Sequence, residues 1–381
     1  MTSTKQALVL KYFNDGFSYN EMISLLNVNH GVEISLRSLH RILRNTGLRR
    51  RNVSVDTKLV IRAIVKELEG YGSHIGYRAM HHKLAMQGIS VDHETVRLCL
   101  KNLDPEGVDT RKKNRLKRRK YIAKGPNYLW HLDGNDKLKP YGFCIHGCID
   151  GYSRKILWLE VSPSNKNPSV VAGYFLDCVA KLNCTARTVR GDRGTENVTI
   201  AGMQRFFYPG SPDYLSSFMY GKSTSNQRIE AWWSYLRRYF LQWWMNKFKD
   251  LRDSGYFDDT DPIQVECLRF CYYGIIQDEL HGVAYRWNCH RIRRSHNAEM
   301  PGGRPEALYT VPANGVRDYK SPFINPLDID LSRTFCKKSP TFGCQKEFAE
   351  LAITLMRLRG LEMPKTTNEA DILYLRLLSF M

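Results

Sequence analysis

The 381-residue sequence predicts an α/β core, a mixed sheet flanked by helices, preceded by all-α helical units and followed by a small helical region. Three observations carry this reading. Up to about residue 104, apolar residues recur at helical spacing and are punctuated by Ser and Gly stops. Between about 125 and 310, short strand-like apolar runs alternate with helical patterns, as in a layered α/β domain. Beyond 310, a Pro-containing loop leads into two amphipathic helices. The units that follow are residues 1–51, 55–104, a linker at 105–124, the core at 125–310 and a C-terminal region at 311–381.

The first unit reads as three short helices. Ala7, Leu8, Leu10, Tyr12 and Phe13 mark the first, which stops near Gly16. Ser18 with Glu21 three residues on is a capping-box signature and opens the second. Ser35 caps the third, with Leu36, Leu39, Ile42 and Leu43 on one side, Arg37, Arg41 and Arg44 on the other, and a stop at Gly47. A basic third helix followed by Arg49-Arg50-Arg51 fits a helix-turn-helix module whose last helix enters the DNA major groove. The bland reading is a helical packing unit with solvated arginines.

In the second unit a helix over 57–69 places Leu59, Val60, Ile64, Val65 and Leu68 on its apolar side. Helices over 78–86 and from His93 follow, a pattern that resembles the second helical DNA-binding unit of bacterial insertion-sequence transposases. The linker carries eight cations in ten residues, namely Arg111, Lys112, Lys113, Arg115, Lys117, Arg118, Arg119 and Lys120. Like charges at that density do not fold alone. Such a run suits phosphate contact, nuclear import or both.

Charge is distributed unevenly. Residues 1–126 hold 24 Lys/Arg against 11 Asp/Glu, the remainder 33 against 27, within a net charge of +19. That asymmetry points to a nucleic-acid-binding front end. Ten cysteines at scattered spacings, without a CxxC, suit reduced thiols. No apolar run approaches the roughly 18 residues of a membrane span.

In the core, Tyr128–Leu132, Tyr141–Ile149 and Lys155–Val161 read as strands of a meander, the last two joined at Asp150-Gly151-Tyr152. A helix over 169–182, a strand at Thr188-Val189, a helix over 196–207, a short strand at 217–220 and an aromatic-rich helix around Glu230 complete the order. Ser223, Thr224 and Ser225 read as the opening of that last helix. Asp150, at a strand end, reads as turn chemistry.

Three acidic residues stand in distinctive contexts: Asp133 on the first strand, Asp192 after a Gly-flanked turn, and Glu230 on the aromatic helix. Carboxylates on a strand, at a strand end and on a facing helix can meet at one edge of a sheet. Oxygen-only ligands suit hard cations such as Mg²⁺. Two such ions can activate an attacking oxygen and stabilise a leaving one in phosphoryl displacement. The bland alternative is two strand-terminating aspartates and a solvated glutamate.

These stretches resemble the DDE integrase and transposase superfamily, and most closely the eukaryotic integrase-core-domain proteins related to retroviral and retrotransposon integrases. The residues that carry the likeness are Gly125–Gly134, Ile149–Ile156, Asp192–Asn197, Lys222–Glu230 and Trp287–Arg293. The resemblance implies a ribonuclease H-like core and a metal-binding catalytic triad of Asp133, Asp192 and Glu230. Asn226, four residues before the glutamate, and His131, two before the first aspartate, are supporting residues on the same grounds. It further implies Mg²⁺ or Mn²⁺, two ions, double-stranded DNA as substrate, a homo-oligomer on DNA and a nuclear location. The activity implied is metal-dependent DNA cleavage and strand transfer, in an element-borne or domesticated protein. Two alternatives are a noncatalytic DNA-binding protein that keeps the fold and a metal-dependent nuclease.

Other clusters read as packing. Cys144, His146 and Cys148 alternate along one strand but lack a fourth ligand and tetrahedral geometry for zinc. Cys267 and Cys271 share a helix face, with His281, Cys289 and His290 downstream. Trp232, Trp233, Trp243 and Trp244 read chiefly as core, with base stacking or oligomer contact as the other use. The last two helices, with Phe348, Leu351, Leu355, Leu373 and Leu377, read as a packing or oligomerisation unit. Neither a retroviral-type His-His-Cys-Cys module nor an SH3-like C-terminal barrel is visible.

Overall fold

Helices α1 (Thr4–Asn14), α2 (Tyr19–His30) and α3 (Leu36–Asn45) open the chain in the computed structural model, which describes residues 4–48, 56–110, 123–208, 214–221, 226–294, 301–313 and 315–381. Arg49–Arg51, the basic run 111–120 and Ser223–Ser225 lie outside the described residues. The Ser18 hydroxyl accepts from the Glu21 N–H at 3.4 Å and the Glu21 carboxylate accepts from the Ser18 N–H at 2.7 Å, a complete capping box. Ser35 caps α3. Val9, Met22, Leu25, Leu26, Leu39 and Leu43 form the shared core.

A second helical group follows, α4 (Thr57–Leu68), α5 (Tyr77–Met86), α6 (His93–Leu103) and the short α7 (Pro105–Thr110), around Val60, Ile64, Met80, Leu84, Val96 and Leu100. Leu36, Leu59 and Val65, assigned to apolar faces by periodicity, are exposed instead. Helices this short offer one i, i+4 pair each to a partner, Leu39/Leu43 in α3 and Val60/Ile64 in α4, so flanking apolar residues face water.

The core sheet contains β1 (Leu129–Asn135), β2 (Cys144–Asp150), β3 (Ile156–Ser162), β4 (Thr188–Gly191) and β5 (Phe218–Tyr220) in the order β3-β2-β1-β4-β5. The first three form an antiparallel meander, while β4 and β5 run parallel to β1. The second strand starts later than its apolar run: Lys139–Tyr141 make a 3-10 turn, ended by Gly142 in the left-handed region. Helices α8 (Pro168–Leu182) and α9 (Val198–Phe206) cover one face, burying Trp130, Leu132, Val171, Phe175, Val189 and Ile200. On the other face lie α10 (Gln227–Leu236), a π-helical turn at Arg237–Leu241, α11 (Gln242–Asp253) and the 28-residue α12 (Pro262–Cys289).

Helices α13 (Pro305–Thr310), α14 (Pro326–Arg333), α15 (Lys346–Arg359) and α16 (Thr367–Leu378) complete the chain. Leu373 and Leu377 are buried in the same apolar cluster as α10, α11 and α12, with Phe348 and Leu355 packed against it. Of the two readings of these side chains, packing or oligomerisation, the structure shows the packing: they cover α12 of their own chain. Leu351 is half exposed. Trp232, Trp233 and Trp244 are likewise core.

The front end is fastened to the end of α12. Buried Asp15 accepts from the Tyr285 hydroxyl, Arg304 donates to the Gly16 carbonyl, and Cys289 joins the core of α1–α3. The sheet order, with its antiparallel meander and parallel extension, is the ribonuclease H-like arrangement. Among the described residues no helix is long and apolar enough to cross a membrane.

Candidate active site

Strand alternation sets the first carboxylate. Trp130 and Leu132 point into the layer under α8 and α9, so His131 and Asp133 point to the α10 side. Pairing of His131 with Arg190 in the parallel β1–β4 ladder, carried two residues further along both strands, brings Asp133 level with Asp192. Both aspartates thus stand at the same sheet edge, half-buried. Within the loop after β4, the Asp192 carboxylate accepts from the Gly194 N–H at 3.0 Å and from the Asn197 side-chain amide at 2.8 Å.

Helix α10 carries the third group. Its N-cap residue, Asn226, is buried and donates to the Leu132 carbonyl at 2.7 Å. That bond orients the amide, so its oxygen faces His131 Nδ1 at 2.7 Å and the imidazole carries its proton on Nδ1. Complete burial pushes His131 down to about 3, so the ring is neutral. Two turns on from Asn226, the Trp233 indole N–H donates to the Asp133 carboxylate at 3.0 Å. Gly147 permits this: a Cβ there would stand 2.9 Å from Trp233 Cη2, too close for the indole to lie on β2. Glu230 sits between these two anchors, half-buried.

The carboxylates feel one another. Asp133 is pushed up to about 7, first by burial, with the charges of Glu230 and Asp192 adding to it and the Trp233 hydrogen bond opposing. Burial and then the Asp192 charge raise Glu230. Glu196 lies against Asp192 and is raised by burial and then by that charge. The structure therefore brings Asp133, Asp192 and Glu230 into one electrostatic cluster, with Asn226 and His131 behind it.

Sequence reasoning missed Trp233, Asn197 and Glu196 as site residues. Trp233 could have been found from its i+3 spacing to Glu230; the other two lie within the Asp192–Asn197 stretch that carries the resemblance.

A hard cation fits the donor chemistry, which is oxygen-only and mutually repelling, as a divalent ion would offset. Among the described residues no three His, Cys, Asp or Glu side chains are arranged to hold a metal ion as they stand. The cysteine and histidine clusters are packing. His146 accepts from the Trp158 indole at 3.1 Å and is held neutral by burial, at about 3. Cys148, Cys267 and Cys271 are buried in the apolar layers. Asp150 is a turn residue, accepting from the N–H groups of Asn127, Tyr152 and Ser153.

Arg37, Arg41 and Arg44 are exposed on α3, away from this edge in the chain's helical front end. The other DNA-binding candidates, Arg49–Arg51 and Arg111–Lys120, lie outside the described residues.

Fold and acidic edge together define a polynucleotidyl transferase-like core. A family model of the integrase core domain matches residues 120–310, half of the chain, and the protein belongs to the integrase core domain family. No curated protein matches the sequence.

Proposed function

We propose that the protein is a DDE-type DNA strand transferase in which Asp133, Asp192 and Glu230 hold divalent cations and DNA is cut and joined at that edge. The observation that supports this is that, after burial, the charge of the post-β4 Asp192 raises both the β1 aspartate and the α10 glutamate, and the charge of Glu230 raises Asp133 as well. Bound there, Mg²⁺ or Mn²⁺ would supply Lewis acidity to a phosphodiester and to the attacking hydroxyl. The protein's own groups position the carboxylates. Trp233 fixes the Asp133 oxygen, Gly194 and Asn197 fix Asp192, and the Asn226–Leu132 bond sets the distance of the Glu230 helix from β1.

In this reading α1–α3 are a helix-turn-helix unit that docks α3 on duplex DNA through Arg37, Arg41 and Arg44, joined by Arg49–Arg51, while Arg111–Lys120 contact phosphates. Chromosomal DNA as substrate makes the nucleus its compartment, whether the protein serves a mobile element or a domesticated role. Coupled joining of two DNA ends requires at least two active sites, hence a homo-oligomer on DNA. Incubating the full chain with labelled DNA ends and Mg²⁺ or Mn²⁺ tests the reading. Joined products support it, cleavage without joining favours a nuclease, and neither product with intact binding favours a noncatalytic DNA-binding protein.

A further inference from the structure

Helix α14 is apolar on two sides. Its inner side is fastened to the core. Ile329 and Cys336 pack into the layer under α8 and α9, Arg333 donates to Asp177 of α8 at 2.7 Å, and the Lys337 N–H donates to the Ser169 carbonyl at 3.0 Å. Its outer side carries Leu327 and Leu331, with Phe323 four residues before them and Phe335 four residues after. These four are 55–72% exposed, whereas Ile324 and Ser332 are buried. A helix that packs on one side turns polar residues to water on the other; this one turns leucines. Four-residue spacing puts Leu327 and Leu331 in one row along the helix, and Phe323 and Phe335 continue the spacing past both ends. Exposed Asp330 and Arg333 flank the row.

The size and the order of this row both bear on its partner. At roughly 200 Å² for each side chain, the exposures leave about 500 Å² of apolar surface. Contiguous apolar patches beyond a few hundred Å² mark association sites. Phe323, Leu327, Leu331 and Phe335 also read the same in both directions about position 329. An interface between two copies related by a twofold axis has to be self-complementary, residue i meeting j while j meets i. Antiparallel pairing of α14 with its own copy, the axis level with Ile329, sets Leu327 against the partner's Leu331 and Phe323 against the partner's Phe335. Two such patches bury about 1,000 Å², the lower bound of a specific interface. The row lies beyond the 120–310 match to the integrase core domain, so the contact is not a feature of the matched domain.

We propose that two copies of this chain pair through the outer face of α14, antiparallel, with Leu327 and Leu331 at the centre and the two phenylalanines outside them. The pair brings two acidic edges into one assembly, as coupled joining of DNA ends requires. The contact itself needs neither DNA nor a cation and does not rest on the catalytic reading above.

The test is sedimentation equilibrium of the full chain in EDTA without DNA, from about 1 to about 100 µM, the weak end of what interfaces give. A dimer is expected, and one that holds from about 0.15 to about 0.5 M NaCl, since salt screens charge contacts and not apolar ones. L327M/L331M, which conserves volume, is expected to dimerise within about threefold of the parent chain. L327E/L331E is expected to weaken the dimer at least about tenfold with its melting temperature kept, because both positions face water. Should that variant melt early, Phe335→Ser alone is expected to weaken the dimer at least about fivefold. Orientation is read from mixtures. Leu327→Lys and Leu331→Glu should each dimerise poorly alone and at least about fivefold better when mixed, because the antiparallel register sets lysine against glutamate. Leu327→Lys mixed with Leu327→Glu should gain nothing. A monomer at every concentration overturns the proposal. So does a dimer that salt dissolves, one that L327E/L331E leaves within about twofold of the parent, or rescue by the second mixture instead of the first. A dimer without DNA chemistry counts against the catalytic reading alone.

Discussion

Asp133→Asn is expected to make the metal-free protein more stable, not less. The asparagine keeps a carbonyl oxygen for the Trp233 N–H, which lies 3.0 Å from the aspartate. What it removes is a carboxylate raised from 3.8 to about 7 by burial and by the neighbouring charges of Glu230 and Asp192. At about 1.4 kcal/mol per pH unit, that rise bounds the cost of ionising Asp133 at about 4 kcal/mol, and partial exposure reduces it toward about 2 kcal/mol. The folded state holds this proton to higher pH than the unfolded chain does. Wild-type stability from this group is therefore full below about pH 4 and is lost as pH rises through about 7. Chemical denaturation of both chains in EDTA from pH 4.5 to 8.5 isolates the effect, because every other group titrates in both. The gap should open with rising pH and level off near pH 8, and Mg²⁺ should close it by stabilising the wild type alone. A variant less stable than wild type at pH 8, or a gap independent of pH, would refute the gathering of the three carboxylates.

Asn226→Ala strands a buried imidazole N–H and the Leu132 carbonyl. At about 1–3 kcal/mol per unpaired group it should cost about 2–4 kcal/mol by urea denaturation and lower any DNA joining rate; a loss below about 0.5 kcal/mol would show that the bridge is not formed. Replacing Arg37, Arg41 and Arg44 with Ala in the full chain should abolish sequence preference on duplex DNA and reduce the salt slope by up to about 2.7. An unchanged slope would make α1–α3 a protein-contact unit. Light scattering should find a dimer or tetramer when DNA ends are added, and a strict monomer with and without DNA would count against coupled joining of two ends.

The core was legible because its strands are short apolar runs with turn residues between them, and because each catalytic candidate sits beside a local signature. Helix α12 was not. Its buried residues, among them Leu268, Phe270, Tyr272, Ile276 and Leu280, surround the helix rather than marking a single stripe, so no amphipathic period announces it. The C-terminal helices showed apolar faces correctly, but a stripe does not say what covers it, and α12 of the same chain does. At the site, Asp133 and Trp233 are 100 residues apart in sequence. Only the register of β1 and the close approach at Gly147 bring them together, and neither is written in local pattern. Leu36, Leu59 and Val65 erred the other way, since periodicity marks an apolar residue but not whether a small unit has room to bury it.

In the proposed function Asp133, Asp192 and Glu230 form one cation-dependent site that acts on DNA. Its most direct measurement compares the wild type with Asp133→Asn, Asp192→Asn and Glu230→Gln for joining of labelled DNA ends in Mg²⁺ or Mn²⁺, with duplex binding measured in parallel. All three variants are expected to lose joining while binding duplex DNA within about threefold of wild type, because only a metal ligand has changed. Near-wild-type joining by any one of them would contradict it.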